Sequence, residues 1–451
     1  MRESARTMLI GVLPDLNYLS GGVYQYGLTM LHALHGMRSK GEDQFHIFAN
    51  QNSNHPTVSS LKELGWTVKP AQPLPLPKRV LASLSQALGE ESLRGATAWL
   101  RRQRQGALEL DKGRLPDPDH VRFRPEASQW FRDCGVELML YPSASPLCFE
   151  TQLPFVVAIH DLQHRLQPEF PEVSAGGEWE RREYLFRNAA RYATLILTDS
   201  EVGREDILNI YGEYGISPNR VKVLPYLPAH YLAPATMVNG PAHVQASYHL
   251  PERYLLYPAQ FWPHKNHARL VRALKLVKDE YNLNVPVVFC GSRTEPIREQ
   301  TFREVVALAH QLQIERQVHY LGYVPDEDMA GLYMAAVALV MPTFFGPTNI
   351  PVLEAWALNC PVVTSDLRGI REQVGDAAIL VNPRSVEAIA DSIYRLWTDE
   401  RLRCELIHRG QQRLARYSDD DYSSRLEGII EEAKSLLAGE RDRADSKSHS
   451  F

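Results

Sequence analysis

Three side chains suit the binding of a phosphorylated sugar: His160 and Lys265, which follow predicted strands, and Glu354, which lies in a predicted helix. A histidine beside an aspartate, here Asp161, can be oriented as a hydrogen-bond donor. A lysine can neutralise phosphate charge, and a carboxylate can accept two hydrogen bonds from a vicinal diol such as a ribose. Each residue also has a plainer interpretation: a buried structural histidine, a solvated lysine, and an acidic residue that complements a helix dipole.

The stretch from Ala338 to Asp366 predicts one βαβ unit. Residues 338–341 and 361–365 are short apolar strands, residues 342–349 form a polar loop, and residues 350–359 are helical. In an open parallel sheet such a loop lies at the ligand-binding edge, and the helix after it directs unpaired amides there. Gly346 allows close approach of the backbone, Pro351 suits a first helical turn, and Glu354 is placed in that turn.

Two further strand ends carry candidate residues. Gly21-Gly22 separates a strand at residues 8–13 from a helix at residues 23–34, a unit that receives phosphates or sugars, although a tight turn explains the glycines equally well. The loop that bears Lys265 follows a strand at residues 255–257, and His160 follows a strand at residues 155–159. Strands alternate with helices along most of the chain, which predicts an α/β fold.

The run FGPTNIPVLEAWALNCPVV, residues 345–363, resembles the donor-binding stretch of the GT-B retaining glycosyltransferases of family 4. The resemblance implies that Glu354 holds the nucleotide ribose and that the amides of Asn349 and Ile350 face the sugar and diphosphate. At Gly346 the family has a glutamate that contacts the donor sugar. Here we expect the loop amides and the side chains of Thr348 and Asn349 to replace it.

The same resemblance assigns roles in three other loops. Lys265 matches a lysine on the donor diphosphate, whereas Gln260 stands where the family has an arginine on that diphosphate. His160 matches a histidine that contacts sugar and phosphate. Gly22 belongs to a glycine pair that shapes the mouth of the cleft.

The implied fold is GT-B, with two doubly wound Rossmann-like domains that face each other across a cleft. The implied activity is retaining transfer of a mannose-like or N-acetylhexosamine-like sugar from a GDP- or UDP-sugar to a glycan or lipid-linked acceptor, in surface polysaccharide biosynthesis, without a cofactor. Two alternatives stay open: a sugar-nucleotide epimerase or hydrolase of the same fold, and a non-catalytic sugar-nucleotide-binding partner.

The elements predict five segments. Residues 1–228 form an acceptor-binding domain with an insertion at about 70–125, residues 229–250 a linker, and residues 251–416 a nucleotide-sugar-binding domain. Residues 417–437 form a helix that crosses back to the first domain. Residues 438–451, charged and rich in serine, are expected to be disordered.

Composition narrows the setting. The net charge of −5 argues against bulk nucleic-acid binding, and five widely spaced cysteines fit a reducing cytoplasm. No apolar run approaches the ~18 residues of a membrane span. Within the insertion, a basic amphipathic helix predicted at residues 78–105 suits either peripheral contact with the inner face of an anionic membrane or a lid packed on its own domain.

Metal signals are weak. Asp117-Pro118-Asp119 has the spacing of a metal-binding Asp-x-Asp motif, but it lies in the irregular insertion rather than at a strand end. We therefore expect no metal site there.

Overall fold

The computed structural model describes residues 7–38, 43–50, 55–71, 115–229, 232 and 239–448. The predicted basic helix at residues 78–105 lies outside these ranges. The described chain forms two parallel sheets, each with helices on both faces.

The first sheet contains seven strands among the described residues, in the order β3-β2-β1-β4-β5-β6-β7, and every recorded pairing is parallel. Its strands are Leu9–Val12 (β1), Gln44–Ala49 (β2), Thr67–Pro70 (β3), Leu138–Tyr141 (β4), Phe155–Ala158 (β5), Leu195–Thr198 (β6) and Val221–Val223 (β7). The helices around it are Gly22–Arg38 (α1), Pro56–Glu63 (α2), Pro125–Asp133 (α3), Leu147–Glu150 (α4), Gln163–Leu166 (α5), Pro171–Ser174 (α6), Glu178–Tyr192 (α7) and Glu201–Tyr211 (α8).

The central strands of this sheet are buried on both faces. In β4, Leu138 and Leu140 belong to one apolar cluster, while Met139 and Tyr141 belong to the cluster on the opposite face. A strand covered on both sides needs a continuous apolar run rather than an alternating pattern. This burial explains why the sequence reads Leu-Met-Leu-Tyr without a polar break.

The second sheet contains six strands among the described residues, in the order β10-β9-β8-β11-β12-β13. Its strands are Leu255–Pro258 (β8), Val287–Cys290 (β9), Val318–Tyr320 (β10), Ala338–Met341 (β11), Val362–Ser365 (β12) and Ile379–Val381 (β13). The remaining helices are Pro241–Ser247 (α9), His267–Tyr281 (α10), Pro296–Gln311 (α11), Asp326–Ala335 (α12), Ile350–Ala357 (α13), Arg368–Val374 (α14), Val386–Thr398 (α15), Glu400–Leu414 (α16) and Asp419–Ser448 (α17).

The expectation of a plain linker at residues 229–250 needs correction. Helix α9 lies within it, and Val244 is fully buried in the core of the second sheet. Asn239 Nδ2 donates to Asp328 Oδ1 at 2.7 Å, and the Tyr248 hydroxyl donates to Asp328 Oδ2 at 2.5 Å. The part of this segment from residue 239 onward is therefore packed on the second domain.

The last helix, α17, returns to the first domain. Leu426 and Ile430 join the apolar cluster that contains Met30, and Lys434 Nζ forms an ion pair with Asp43 at 2.8 Å. The helix extends to Ser448, beyond residue 437 where the sequence placed its end. A helix anchored by packing can propagate through polar residues of adequate helix propensity.

Several hydrogen bonds join the two domains across the cleft. Gln260 Nε2 donates to the Leu19 carbonyl at 2.7 Å, and Gln167 Nε2 donates to the Phe344 carbonyl at 2.9 Å. Glu372 accepts hydrogen bonds from the first two amides of α8, at 2.9 and 3.0 Å. The structure therefore represents a closed arrangement of the domains.

The prediction of an α/β fold with two doubly wound sheets is confirmed. Among the helices in the described ranges, none combines the length and the apolar character that crossing a membrane requires.

Candidate active site

Two adjoining cavities, of about 180 and 400 Å³, lie between the carboxyl ends of the two sets of strands. In the first sheet the strand order reverses between β1 and β4, and in the second between β8 and β11. Loops diverge at such reversals and leave a crevice for a ligand. The loops after β1, β8 and β11, which carry candidate residues predicted from the sequence, line the cavities.

Glu354 lies in the wall of the smaller cavity and is only 4% exposed. It begins the second turn of α13, which starts at Ile350, whereas the sequence placed it in the first turn. The Tyr333 hydroxyl donates a hydrogen bond to its Oε2 at 2.6 Å, which fixes the orientation of the carboxylate. Tyr18 and Tyr323, in edge contact with ring centroids 5.1 Å apart, form part of the same cavity.

Lys265 lines the larger cavity. Burial lowers the pKa of its amine to about 8, and the nearby carboxylates of Asp161 and Glu172 offset only part of that effect. Among the described residues, no hydrogen bond or ion pair to the Lys265 amine is recorded. A cation that is poorly solvated and has no such partner favours an anionic ligand, because the anion restores the interactions that burial removes.

His160 also lines the larger cavity, but the protein holds both of its ring nitrogens. Nε2 lies 2.8 Å from the Pro142 carbonyl, which can only accept, so this nitrogen carries the proton. Nδ1 then accepts from the Tyr226 hydroxyl at 2.9 Å. Burial lowers the pKa of His160, in agreement with a neutral ring. Both ring nitrogens are thus engaged by the protein in this arrangement, and the predicted contact of His160 with sugar and phosphate stays a prediction.

The loop after β11 places Gly346, Thr348, Asn349 and Ile350 against the larger cavity. The Asn349 amide donates to Gln373 Oε1 at 2.9 Å, and Gln373 Nε2 donates back to the Asn349 carbonyl at 2.9 Å. The predicted use of this amide for the donor is thus corrected, since Gln373 occupies it. Nδ2 of the Asn349 side chain is buried and has no partner in the described part of the chain.

The Thr348 hydroxyl donates to Asp199 Oδ2 across the cleft, so it is also engaged by the protein. Thr198 and Ser200 donate to the other oxygen of Asp199 at 3.4 and 3.2 Å. Burial raises the pKa of Asp199 to about 6 despite these three donors. Thr348 therefore joins the domains in this structure and also lines the larger cavity, and its predicted contact with the sugar stays a prediction.

Ile350 is the first residue of α13, and no hydrogen bond from its amide is recorded among the described residues. Its side chain approaches the glycine turn of the first domain: a Cβ added at Gly22 would lie 3.7 Å from Ile350 Cδ1. A Cβ added at Gly21, whose φ is +61°, would lie 3.4 Å from Gln260 Nε2. These contacts seat the start of helix α13 against the mouth of the cleft.

Gln260 is engaged on both sides of its amide. Nε2 donates to the Leu19 carbonyl, as described above, and Oε1 accepts from the Trp262 indole at 2.9 Å. The Arg298 guanidinium lies over the Trp262 ring, with Cζ 4.6 Å from the ring centroid. Where the resemblance expects a cation on the diphosphate, this chain has a neutral amide that ties the two domains together.

Sequence reasoning missed five residues that shape the site: Glu172, Asp199, Tyr226, Tyr333 and Gln373. Asp199, Tyr226, Tyr333 and Gln373 hydrogen-bond to candidate residues from other elements of the fold. Glu172 bonds to His264, the neighbour of Lys265. No local spacing signals any of these contacts. Glu172 gives the clearest example, because its Oε1 accepts from the amide of His264 at 3.0 Å and lies 2.7 Å from its Nδ1.

The described ranges hold no cluster of three or more histidine, cysteine, aspartate or glutamate side chains that could bind a metal. Asp119 forms an ion pair with Arg187 at 2.7 Å, and Asp117 lies 2.6 Å from His120. Neither aspartate lines the two cavities.

Comparison with known proteins shows three similarities. Residues 244–413 match the family model described as glycosyl transferases group 1. O-antigen chain mannosyltransferase B of Escherichia coli is 27% identical over 266 residues, which cover 58% of this chain and 66% of that protein. O-antigen chain mannosyltransferase RfbU of Salmonella typhimurium is 30% identical over 183 residues, covering 41% of this chain and 48% of that protein. The matches thus span less than two thirds of these relatives.

Among solved structures, Anabaena HepE in complex with UDP-glucose superposes with a TM-score of 0.65. The sequences are 16% identical, and the superposition covers 94% of this chain and 99% of that one. At this identity the likeness concerns the fold, and it extends over both domains.

Proposed function

We propose that this chain moves a hexose from a nucleoside diphosphate sugar to a glycan or lipid-linked acceptor. The GT-B fold and the match of residues 244–413 to the glycosyl transferases group 1 support the proposal. The names of the two O-antigen mannosyltransferases favour mannose as the sugar and polysaccharide biosynthesis as the process. GDP-mannose is therefore the first donor to test, with UDP-sugars beside it.

The observation that carries this proposal is that Lys265 and the start of α13 line one cavity while Glu354 lines the cavity next to it. A nucleoside diphosphate sugar has three matching parts: a ribose diol, a charged diphosphate and a neutral sugar. We assign Glu354 to the ribose, and Lys265 with the Ile350 amide to the diphosphate.

The proposed reaction is retaining and uses no protein nucleophile. The acceptor oxygen attacks the anomeric carbon on the face from which the diphosphate departs, and the leaving diphosphate oxygen takes the acceptor proton. The task of the protein is then to hold both substrates and to stabilise charge on the leaving group. Lys265 and the N-terminus of α13 provide that stabilisation.

His160 has a different role in this scheme from the one the resemblance implies. As a neutral ring fixed by Pro142 and Tyr226, it forms a rigid wall of the cavity that holds the sugar. Gln260 and Thr348 keep the domains closed over the donor, and Gly22 leaves room at the mouth.

We place the reaction in the cytoplasm, at the inner face of the membrane when the acceptor is lipid-linked. The basic segment at residues 78–105 is the proposed contact. Flotation with anionic but not neutral liposomes, reversed by salt, is the expected result. Equal flotation with both kinds of liposome would contradict the contact.

Gly346 favours a second candidate, a non-catalytic sugar-nucleotide-binding partner, because the loop lacks a carboxylate at this position. Incubation with GDP- and UDP-sugars distinguishes the candidates. A transferase passes the sugar to an added acceptor, an epimerase or hydrolase yields an epimer or free sugar without acceptor, and a binding partner binds without turnover.

A further inference from the structure

Glu172 brings a buried carboxylate from the first domain into the larger cavity. It lies in the short helix α6, and its side chain is 4% exposed. Oε1 is used twice by His264 of the second domain, through the amide and Nδ1. Oε2 is buried and has no hydrogen-bond partner among the described residues.

The charge state of Glu172 decides what Oε2 can bind. Burial alone would raise the pKa of this carboxyl, but the hydrogen bonds from the ring and the amide of His264 outweigh burial and lower it. The group is therefore ionised at neutral pH, and an ionised carboxylate oxygen accepts hydrogen bonds without donating any. A buried acceptor left without a partner is costly, so a ligand that donates to it gains affinity.

The neighbours of Glu172 limit the part of a donor that can approach it. The diphosphate is negatively charged and is repelled by a carboxylate, whereas Lys265 in the same cavity attracts it. The other acidic side chain in this lining, Asp161, accepts at Oδ1 from the Gln163 amide at 2.9 Å and from Arg182 at 3.4 Å, and its side chain is 33% exposed, so water can reach it. A hydroxyl group of the sugar is neutral and can donate.

The loop after β11 contributes no carboxylate to this cavity. Gly346 has φ of +142°, and a Cβ there would lie 2.9 Å from Asn349 Oδ1. This loop and Glu172 are connected through His264, whose carbonyl accepts from the Phe344 amide at 2.7 Å. The acidic group closest to this loop through hydrogen bonds therefore comes from the first domain.

We propose that Oε2 of Glu172 accepts a hydrogen bond from a hydroxyl of the transferred hexose, so that a specificity residue of the donor site comes from the N-terminal domain. This inference rests on the proposed function. A nucleotide sugar whose diphosphate is bound by the second domain and whose sugar is bound by the first favours the closed arrangement of the two domains.

The test compares Glu172→Gln with Gln167→Ala by titration calorimetry against a free nucleoside diphosphate and the matching nucleotide sugar, without acceptor. Glutamine keeps the shape, and its Oε1 still accepts from His264, but it offers an amide nitrogen where Oε2 stood. Gln167→Ala is the matched control: it removes another domain-bridging hydrogen bond from the same part of the chain and removes no charge.

For Glu172→Gln we expect at least a roughly tenfold loss of affinity for the nucleotide sugar and less than about twofold for the free nucleotide. Gln167→Ala should change the two affinities by equal factors. A series of monodeoxy sugar nucleotides identifies the hydroxyl. The analogue that lacks it should bind the wild type more weakly than the parent nucleotide sugar does. Glu172→Gln should bind this analogue and the parent nucleotide sugar equally.

Two results would overturn the inference while leaving the proposed function in place. One is unchanged affinity of Glu172→Gln for the nucleotide sugar. The other is an equal loss for nucleotide and nucleotide sugar, which would make Glu172 a closure contact only. If the wild type bound no nucleoside diphosphate at all, the proposed function itself would be contradicted.

Discussion

The Tyr333 hydroxyl donates a 2.6 Å hydrogen bond to Oε2 of Glu354, and both residues are buried. A carboxylate fixed in this way is already oriented for a diol, so binding loses little side-chain entropy. The two side chains should therefore contribute unequally to the affinity for the nucleotide.

Glu354→Ala should weaken binding of a free nucleoside diphosphate by about 1.5 to 3 kcal/mol, because hydrogen bonds to a charged group are lost. Tyr333→Phe keeps the carboxylate and should cost less. Calorimetry with the free nucleotide measures both. Wild-type affinity in Glu354→Ala would remove this residue from the ribose site.

The pKa of Lys265 predicts a pH dependence of nucleotide binding. Burial places this pKa at about 8, below the ordinary 10.5, so the amine loses its charge as pH rises through 8 in the free protein. A diphosphate favours the charged amine, and binding above pH 8 must therefore take up a proton. Affinity should fall by roughly tenfold between about pH 7.5 and 9.5, with proton uptake measurable in buffers of different ionisation enthalpy.

Lys265→Met is the control for this prediction. It should bind the nucleotide weakly at every pH and show no such slope, since the titrating group is gone. A wild-type affinity that stays flat across this range would contradict a role for Lys265 at the diphosphate.

Gly346 and Asn349 should respond to substitution as a coupled pair. A Cβ at Gly346 would lie 2.9 and 3.0 Å from the two polar atoms of the Asn349 amide, and φ of +142° is unfavourable for any residue with a side chain. We expect Gly346→Glu to lower the melting temperature without improving transfer, and Asn349→Ala to impair transfer.

The single variants Gly346→Ala and Asn349→Ala should each lower the free energy of unfolding. In the double variant the clash between the two side chains is gone, so its loss of stability should be smaller than the sum of the two single losses. Strict additivity would refute the coupling. If Gly346→Glu converted an inert protein into a transferase, the wild type would be a binding partner rather than an enzyme.

Asp199 predicts a pH dependence of stability. Its pKa of about 6 in the folded protein exceeds the ordinary 3.8, so the folded state holds the proton more tightly. Its contribution to stability is therefore complete below pH 3.8 and is lost as pH rises through 6. The shift of the pKa corresponds to about 3 kcal/mol of stability.

Asp199→Asn removes this titration while it keeps an oxygen that can accept from Thr348. Relative to the wild type, the melting temperature of Asp199→Asn should rise as pH goes from about 4 to 6.5. Parallel curves for the two proteins would contradict the raised pKa.

The sequence predicted the parts of the site that depend on local pattern. Strand 338–341 and the helix start at Ile350 are where the apolar run and Pro351 place them. The candidate residues of the strand-end loops meet at one cleft because parallel strands end at one edge.

The hydrogen-bond partners could not be predicted in this way. Whether the Asn349 amide is free depends on Gln373, and whether His160 can donate depends on Tyr226, 66 positions away. Glu172 is 92 positions from His264, and Asp199 is 149 positions from Thr348. Such contacts arise from how the domains pack, on which neither periodicity nor spacing carries information.

The most direct test of the account follows labelled sugar from GDP-mannose and a panel of UDP-sugars, with the wild type and Lys265→Ala, in the presence of lipid-linked glycan acceptors. We expect the wild type to move label from at least one donor to the acceptor with retention at the anomeric carbon, and Lys265→Ala to lose most of this activity while remaining folded. Label that stays on every donor, or that leaves only as free or epimerised sugar, would contradict the assignment as a glycosyltransferase.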